Sequence, residues 1–155
     1  MRDLASKIQA LSAIAPGVYK ADPDAASIDR AGFESVTFLI TVGIGGITFT
    51  DANNIRFKME DSDDSVNWNT VTLSNLAPLL KNPDGTYTID TGIDTFLLLN
   101  QAHPALTVNK QGYVDGYAGE RRYVRVRAVF GGSHSSGTPI SVVALLASSR
   151  QAPIA

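Results

Sequence analysis

Every second residue from Val36 to Val42 is apolar, and the same holds from Ile55 to Met59. In the second run Asn54, Arg56, Lys58 and Glu60 fill the places between. A period of two sends alternate side chains to opposite faces of an extended backbone, so each run reads as a strand with one dry and one wet face. Gly43, Gly45 and Gly46 part the two runs. Glycine tolerates the positive φ that a tight reversal needs. The polar stretch Asp61–Asn67 then leads into a third alternating run from Trp68 to Leu73. Consecutive strands joined by such short polar segments are expected to pair antiparallel.

The rest of the chain repeats this rhythm. Further short strands are expected at Val18–Tyr19, Ile47–Thr50, Thr86–Asp90, Thr95–Leu99, Arg122–Gly131 and Pro139–Ser148. Asn82-Pro83-Asp84-Gly85 is a tight-turn signal, because proline presets φ and glycine releases it. Ser74–Leu80 reads as one helical turn or an apolar loop, and Pro104 argues against a central strand over Gln101–Val108. Gln111–Gly119 is turn-rich, and Gly131–Thr138 is a small, polar loop expected to be mobile. The final run, PISVVALLAS, is apolar on both faces, which fits a strand central in a sheet or one covered by another subunit. About eight strands with turns roughly every ten residues predict an all-β antiparallel domain, a β-sandwich or jelly roll.

The N-terminus breaks the pattern. Leu4, Ile8 and Leu11 are spaced i, i+4, i+7. That is the stripe of an amphipathic helix, here over residues 3–14, with Pro16-Gly17 to stop it. About three turns are marginal alone, so such a helix must cap its own sandwich or reach a neighbour as an arm. The expected organisation is an N-terminal helix or arm over residues 1–17 and a β-sandwich over residues 18–155.

Length and composition narrow the function. One domain is the default for 155 residues. Only 18 % of residues are charged, and the net charge is −2. A nucleic-acid binder needs a concentrated basic face, so no nucleic-acid partner is expected. No cysteine is present, which removes disulfides, thiol catalysis and thiolate metal sites. No window approaches the roughly 18 apolar residues of a membrane span, and the first residues lack the unbroken apolar core of a signal peptide.

The candidate chemistry is thin. Glu60, Asp61, Asp63 and Asp64, with Asp51 across a turn, supply hard oxygens of the kind calcium takes, but without EF-hand spacing. A solvated turn explains them. Neither His103 nor His134 has further zinc ligands nearby. Gly43, Gly45 and Gly46 lack the spacing of a phosphate loop. Trp68 closes an S-x-D-x-x-x-W turn (Ser62, Asp64, Trp68) similar to one in discoidin-like carbohydrate-binding sandwiches, where the tryptophan is generally a packing residue. Arg121, Arg122, Arg125 and Arg127 form the one basic cluster, with Arg125 and Arg127 on a strand face with Tyr123. A wet sheet face accounts for them; an interface is the alternative, since arginine and tyrosine concentrate where proteins meet. No catalytic, cofactor or metal residues are assigned.

PGVYKAD (Pro16–Asp22), IDRAGFESVTFLITVGIGGITF (Ile28–Phe49), NNIRFKMEDSDD (Asn53–Asp64), the YVRVR strand and the apolar final strand together resemble small virion proteins of tailed bacteriophages. The resemblance implies a cysteine-poor β-sandwich without enzymatic activity or cofactor. It implies a capsid decoration or cement role, in which homo-oligomers, trimers foremost, bind the major capsid protein on the virion surface after assembly in the host cytoplasm. The residues expected to make contact are Leu4, Ile8 and Leu11 on the arm, and Tyr123, Arg125 and Arg127 on the sheet face. The alternatives are a head–tail connector or tail component and, from another class, a carbohydrate-binding module.

Overall fold

The computed structural model describes residues 7–43, 47–72, 95–100 and 111–149. Nine strands run through them: β1 (Ile8–Tyr19), β2 (Ile28–Asp29), β3 (Phe33–Val42), β4 (Asn54–Ser62), β5 (Asn69–Thr70), β6 (Leu97–Leu99), β7 (Gln111–Tyr117), β8 (Tyr123–Gly131) and β9 (Thr138–Ser149). No α-helix occurs among the described residues. One sheet has the order β1-β9-β3-β7, the other β2-β8-β4-β5, with β6 also paired to β4. Every pairing is antiparallel. The pairs β1·β9, β2·β8, β3·β7 and β4·β5/β6 are nested, first with last and inward from both ends. A long two-stranded ribbon rolled over itself gives this order, which is that of a jelly roll.

The alternation read from the sequence sets the faces. Val36, Phe38, Ile40 and Val42 of β3 are buried, as are Ile55, Phe57 and Met59 of β4 and Val124, Val126 and Ala128 of β8. In β9 Ile140, Val142, Ala144 and Leu146 point inward. The two sheets press these rows together, and Phe38 and Phe57 are wholly enclosed. Burying each such phenylalanine contributes about 1.5–3 kcal/mol.

The expected N-terminal helix is not formed where the structure describes the chain. Residues from Ile8 onward lie in β1, an edge strand paired with β9 from Ile8↔Ala147 to Tyr19↔Thr138. The division expected between residues 17 and 18 falls inside this strand, with Gly17↔Ile140 and Val18↔Pro139 in register. The physical reason is β9. Buried backbone N–H and C=O groups must be paired, and β1 pairs one edge of β9 while β3 pairs the other. A short helix, marginal by itself, cannot compete with that ladder. The pairing shifts between Ser12 and Ile14 and again between Ile14 and Gly17, so Ala13 and Ile14 are both buried.

Other boundaries moved. Ile47–Thr50 is not a strand; Phe49 is buried and Ile47 packs on the core, while the Thr50 N–H bonds the Asn53 carbonyl in a turn. Gln111–Tyr117, read as turn-rich, pairs along β3 from Val42↔Gln111 to Val36↔Tyr117. A strand at a sheet edge needs only one ladder, and Gly112 and Gly116 are tolerated there. Residues 74–80, 86–90 and 101–108 lie outside the described residues.

Candidate interaction surfaces

The two outer faces of the sandwich differ in kind. On the β2-β8-β4 sheet, side chains alternate outward from β4 (Arg56, Lys58, Glu60) and β8 (Tyr123, Arg125, Arg127). Glu60 is the hub. Arg125 Nε donates to Glu60 Oε2 at 2.6 Å, and Arg127 Nη1 lies 3.5 Å from Oε1. Arg127 also lies 3.8 Å from Asp22, and the Arg125 guanidinium sits 4.1 Å from the centre of the Trp68 ring. Arg122 makes a two-pronged pair with Asp29, at 3.0 and 2.7 Å, and covers the Tyr123 ring at 5.0 Å. The Arg122 guanidinium holds the Asp29 carboxyl below the usual carboxylate range.

Tyr123, Arg125 and Arg127 thus share the face that their alternation predicts. Ile8 and Leu11 do not join them. Ile8 is half-buried on the opposite outer face of the molecule, and Leu11 packs against the core. Leu4 lies outside the described residues. A helical stripe would have put all three on one side. In the strand, Ile8 and Leu11 differ by an odd number and part company.

That opposite face is built by β1, β9 and β3 in cross-strand rows. Ile8, Ala147 and Ser35 form one row, Ala10, Leu145 and Thr37 the next, and Ser12, Val143 and Leu39 a third. Thr41 and Ser141 close it. No row carries an ionisable side chain. The sequence signal was present in the final strand, apolar on both faces. β9 is central in its sheet, and its outward half is this uncharged surface.

The acidic group scatters. Glu60 belongs to the arginine face. Asp63 lies 3.5 Å from Arg121. Asp64 serves its own turn, accepting from the Val66 and Asn67 N–H groups at 2.9 and 2.7 Å, the Asn67 amide at 2.6 Å and the Ser62 hydroxyl at 2.9 Å. These bonds, led by that from the Asn67 backbone, hold its carboxyl far below the usual range. Asp51 accepts from the Asn100 amide at 2.7 Å, away from the other four. Among the described residues no group of three or more His, Asp or Glu is placed to hold a metal ion.

Asp61 goes inside. It follows Ile55, Phe57 and Met59 by twos, so the same alternation buries it, and it is only 5 % exposed. Tyr117, from the other sheet, donates its hydroxyl to Asp61 Oδ2 at 2.7 Å, and Arg121 Nε stands 3.3 Å from Oδ1. Burial, then the Asp61 hydrogen bond, pushes the Tyr117 hydroxyl up to about 12. The Arg30 guanidinium lies 5.2 Å from the same ring and donates to the Gly119 carbonyl at 2.7 Å. Extending the β4 alternation one step past Met59 would have found Asp61. Nothing local points to Tyr117, which is distant in the chain.

His134 is also inside. Its ring is buried, meets Phe130 edge-on at 4.7 Å and donates from Nε2 to the Gly131 carbonyl at 2.9 Å. The loop read as mobile is tied down at this residue and at Ser133, whose N–H bonds Asn53 Oδ1 at 2.9 Å.

No family model, no curated protein and no solved structure matches the chain.

Proposed function

We propose that this chain is a structural protein of a tailed-phage virion, a capsid decoration or cement protein that binds the major capsid protein lattice. The observation that carries the reading is the division of the sandwich into an ionic outer face and an uncharged one. A protein that works by contact area needs broad surfaces. Both outer faces here are broad sheets, and jelly rolls recur among viral capsid proteins. Fold alone does not imply function, so the argument rests on the surfaces and on the resemblance carried by residues 16–22, 28–49 and 53–64, the YVRVR strand and the apolar final strand.

The mechanism is linkage. Internal pressure pulls capsid subunits apart. A protein that bridges subunits in the closed lattice, and has no equal hold on separated ones, adds its binding free energy to the intact shell. The exposed parts of Tyr123, Arg125 and Arg127 offer planar, charge-assisted donors and an aromatic ring to that lattice, the groups on which protein contacts concentrate. The Arg125 guanidinium lies over the Trp68 ring, which fits the packing role read for this tryptophan better than a sugar platform.

The test is co-sedimentation of the purified chain with empty shells of the major capsid protein encoded beside it. Saturable binding that raises the temperature at which shells fall apart is the expected result. Binding weakened by Arg127→Glu would place the contact on the ionic face. Absence of binding at low and moderate salt would overturn the reading.

A further inference from the structure

We infer that the uncharged outer face built by β1, β9 and β3 is covered by the same face of a second copy of this chain. The role of that pair on a shell rests on the capsid reading; the association itself does not.

The first ground is charge. Leu39, Val143 and Leu145 lie at the centre of the face, each half-buried, and Thr37, Ile8 and Ala147 surround them. A partner whose patch carries charges would bury them here with nothing to pair, which costs several kcal/mol per ion. A second copy brings a face with no charge to strand. It also brings the hydroxyls of Thr37, Thr41 and Ser141, neutral groups that can pair with one another across the contact. The other outer face, crowded with Arg56, Lys58, Arg125 and Arg127 around Glu60, is unsuited to meeting itself.

The second ground is area. Three strands about 4.8 Å apart, of ten to twelve residues each at roughly 3.3 Å, cover on the order of 500 Å². Two copies together would bury about 1,000 Å², the area from which an interface counts as specific.

The third ground is geometry. Two sheets with the same right-handed twist pack with their strands aligned at about −30°, and this face is one such sheet. Edge-to-edge joining is disfavoured on the β1 side. Pro16 lacks an N–H, and the pairing of β1 is irregular between Ser12 and Gly17. Irregular edges with proline are poor templates for a further strand.

Sedimentation equilibrium of the full chain across a concentration series tests the inference, with no capsid protein present. A monomer–dimer equilibrium is expected, weakened at least tenfold by Leu145→Glu. Because Leu145 is half-buried, Ala10→Lys, at an exposed β1 position in the same row, is the second probe; it should weaken association with the melting temperature of the monomer unchanged. Arg127→Glu, on the opposite face, should leave the equilibrium as it was. A wild-type chain that stays monomeric up to about 1 mM overturns the inference, as does an oligomer insensitive to both Leu145→Glu and Ala10→Lys. A dimer that obeys these variants but never binds shells overturns the capsid reading alone.

Discussion

The hydroxyl of Tyr117, on the inner face of one sheet, donates to Oδ2 of Asp61, on the inner face of the other, across 2.7 Å. The bond ties β7 to β4 through the interior, where a carboxylate would otherwise stand against apolar neighbours. Its other oxygen faces Arg121, whose backbone N–H also donates to the Tyr117 oxygen at 3.2 Å. Tyr117→Phe removes the phenol donor and leaves Asp61 short of one partner. A loss of about 1–3 kcal/mol in denaturant unfolding is expected. Stability unchanged by the substitution would mean that the bond contributes nothing net.

The same pair makes stability depend on alkaline pH. The Tyr117 hydroxyl is raised from 10.0 to about 12 in the folded chain. A group raised on folding stabilises fully below its unfolded value and loses that contribution as pH climbs through the folded one. Melting temperature should therefore fall between pH 10 and about 12. In Tyr117→Phe this component should vanish, whatever slope the other tyrosines leave.

Gly119 sits against the Tyr117 ring, and a Cβ there would run into the phenol oxygen and Cζ. Gly119→Ala is expected to push the ring off Asp61 and to destabilise by about 1–3 kcal/mol, in the manner of overpacking. Combining it with Tyr117→Phe should give less than the sum of the two single losses, since both act on one contact. Additive losses in the double variant would show two independent effects.

Trp68 is the only tryptophan, so its fluorescence reports one place. Arg125 stacks on its ring and pairs with Glu60. Arg125→Ala should shift the emission to longer wavelength as water reaches the ring. The cost should be about 1 kcal/mol, since the pair is partly exposed. An emission maximum that does not move would place the ring away from the guanidinium in solution.

Asp64 organises the turn after β4 by accepting four hydrogen bonds. Its carboxyl is held below its ordinary value, so its contribution is present above about pH 4 and is lost as pH falls through the folded value. Asp64→Ala should lower the melting temperature at neutral pH and flatten the acid limb of its pH profile. Asp64→Asn, which keeps one acceptor oxygen, should recover part of the neutral loss.

Much of this architecture was legible beforehand. β3 matches the run from Phe33 to Val42 residue for residue, and the inward and outward halves of β8 fall where alternation puts them. β4 runs two residues beyond its expected end, and those two include Asp61. Less legible was anything resting on a partner. Gln111–Tyr117 looks like turns because of its glycines, and is a strand because β3 has an open edge beside it. The candidate contact residues split in the same way. Tyr123, Arg125 and Arg127 share a face by local spacing, whereas Ile8 and Leu11 were grouped by a helical period that the chain does not use.

Which way the side chains of β3, β4 and β8 point was settled by the order of amino acids alone, because alternation is a property of the extended backbone and needs no neighbour. Which strands lie side by side was not. Ile8 meets Ala147, and Tyr117 meets Asp61, only after the ribbon has rolled up. The stripe of Leu4, Ile8 and Leu11 suited a helix as well as it suited nothing else nearby. The open backbone edge of β9, far along the chain, turned its described part into a strand, because a full ladder of hydrogen bonds outweighs the slight preference of a few residues for a helix.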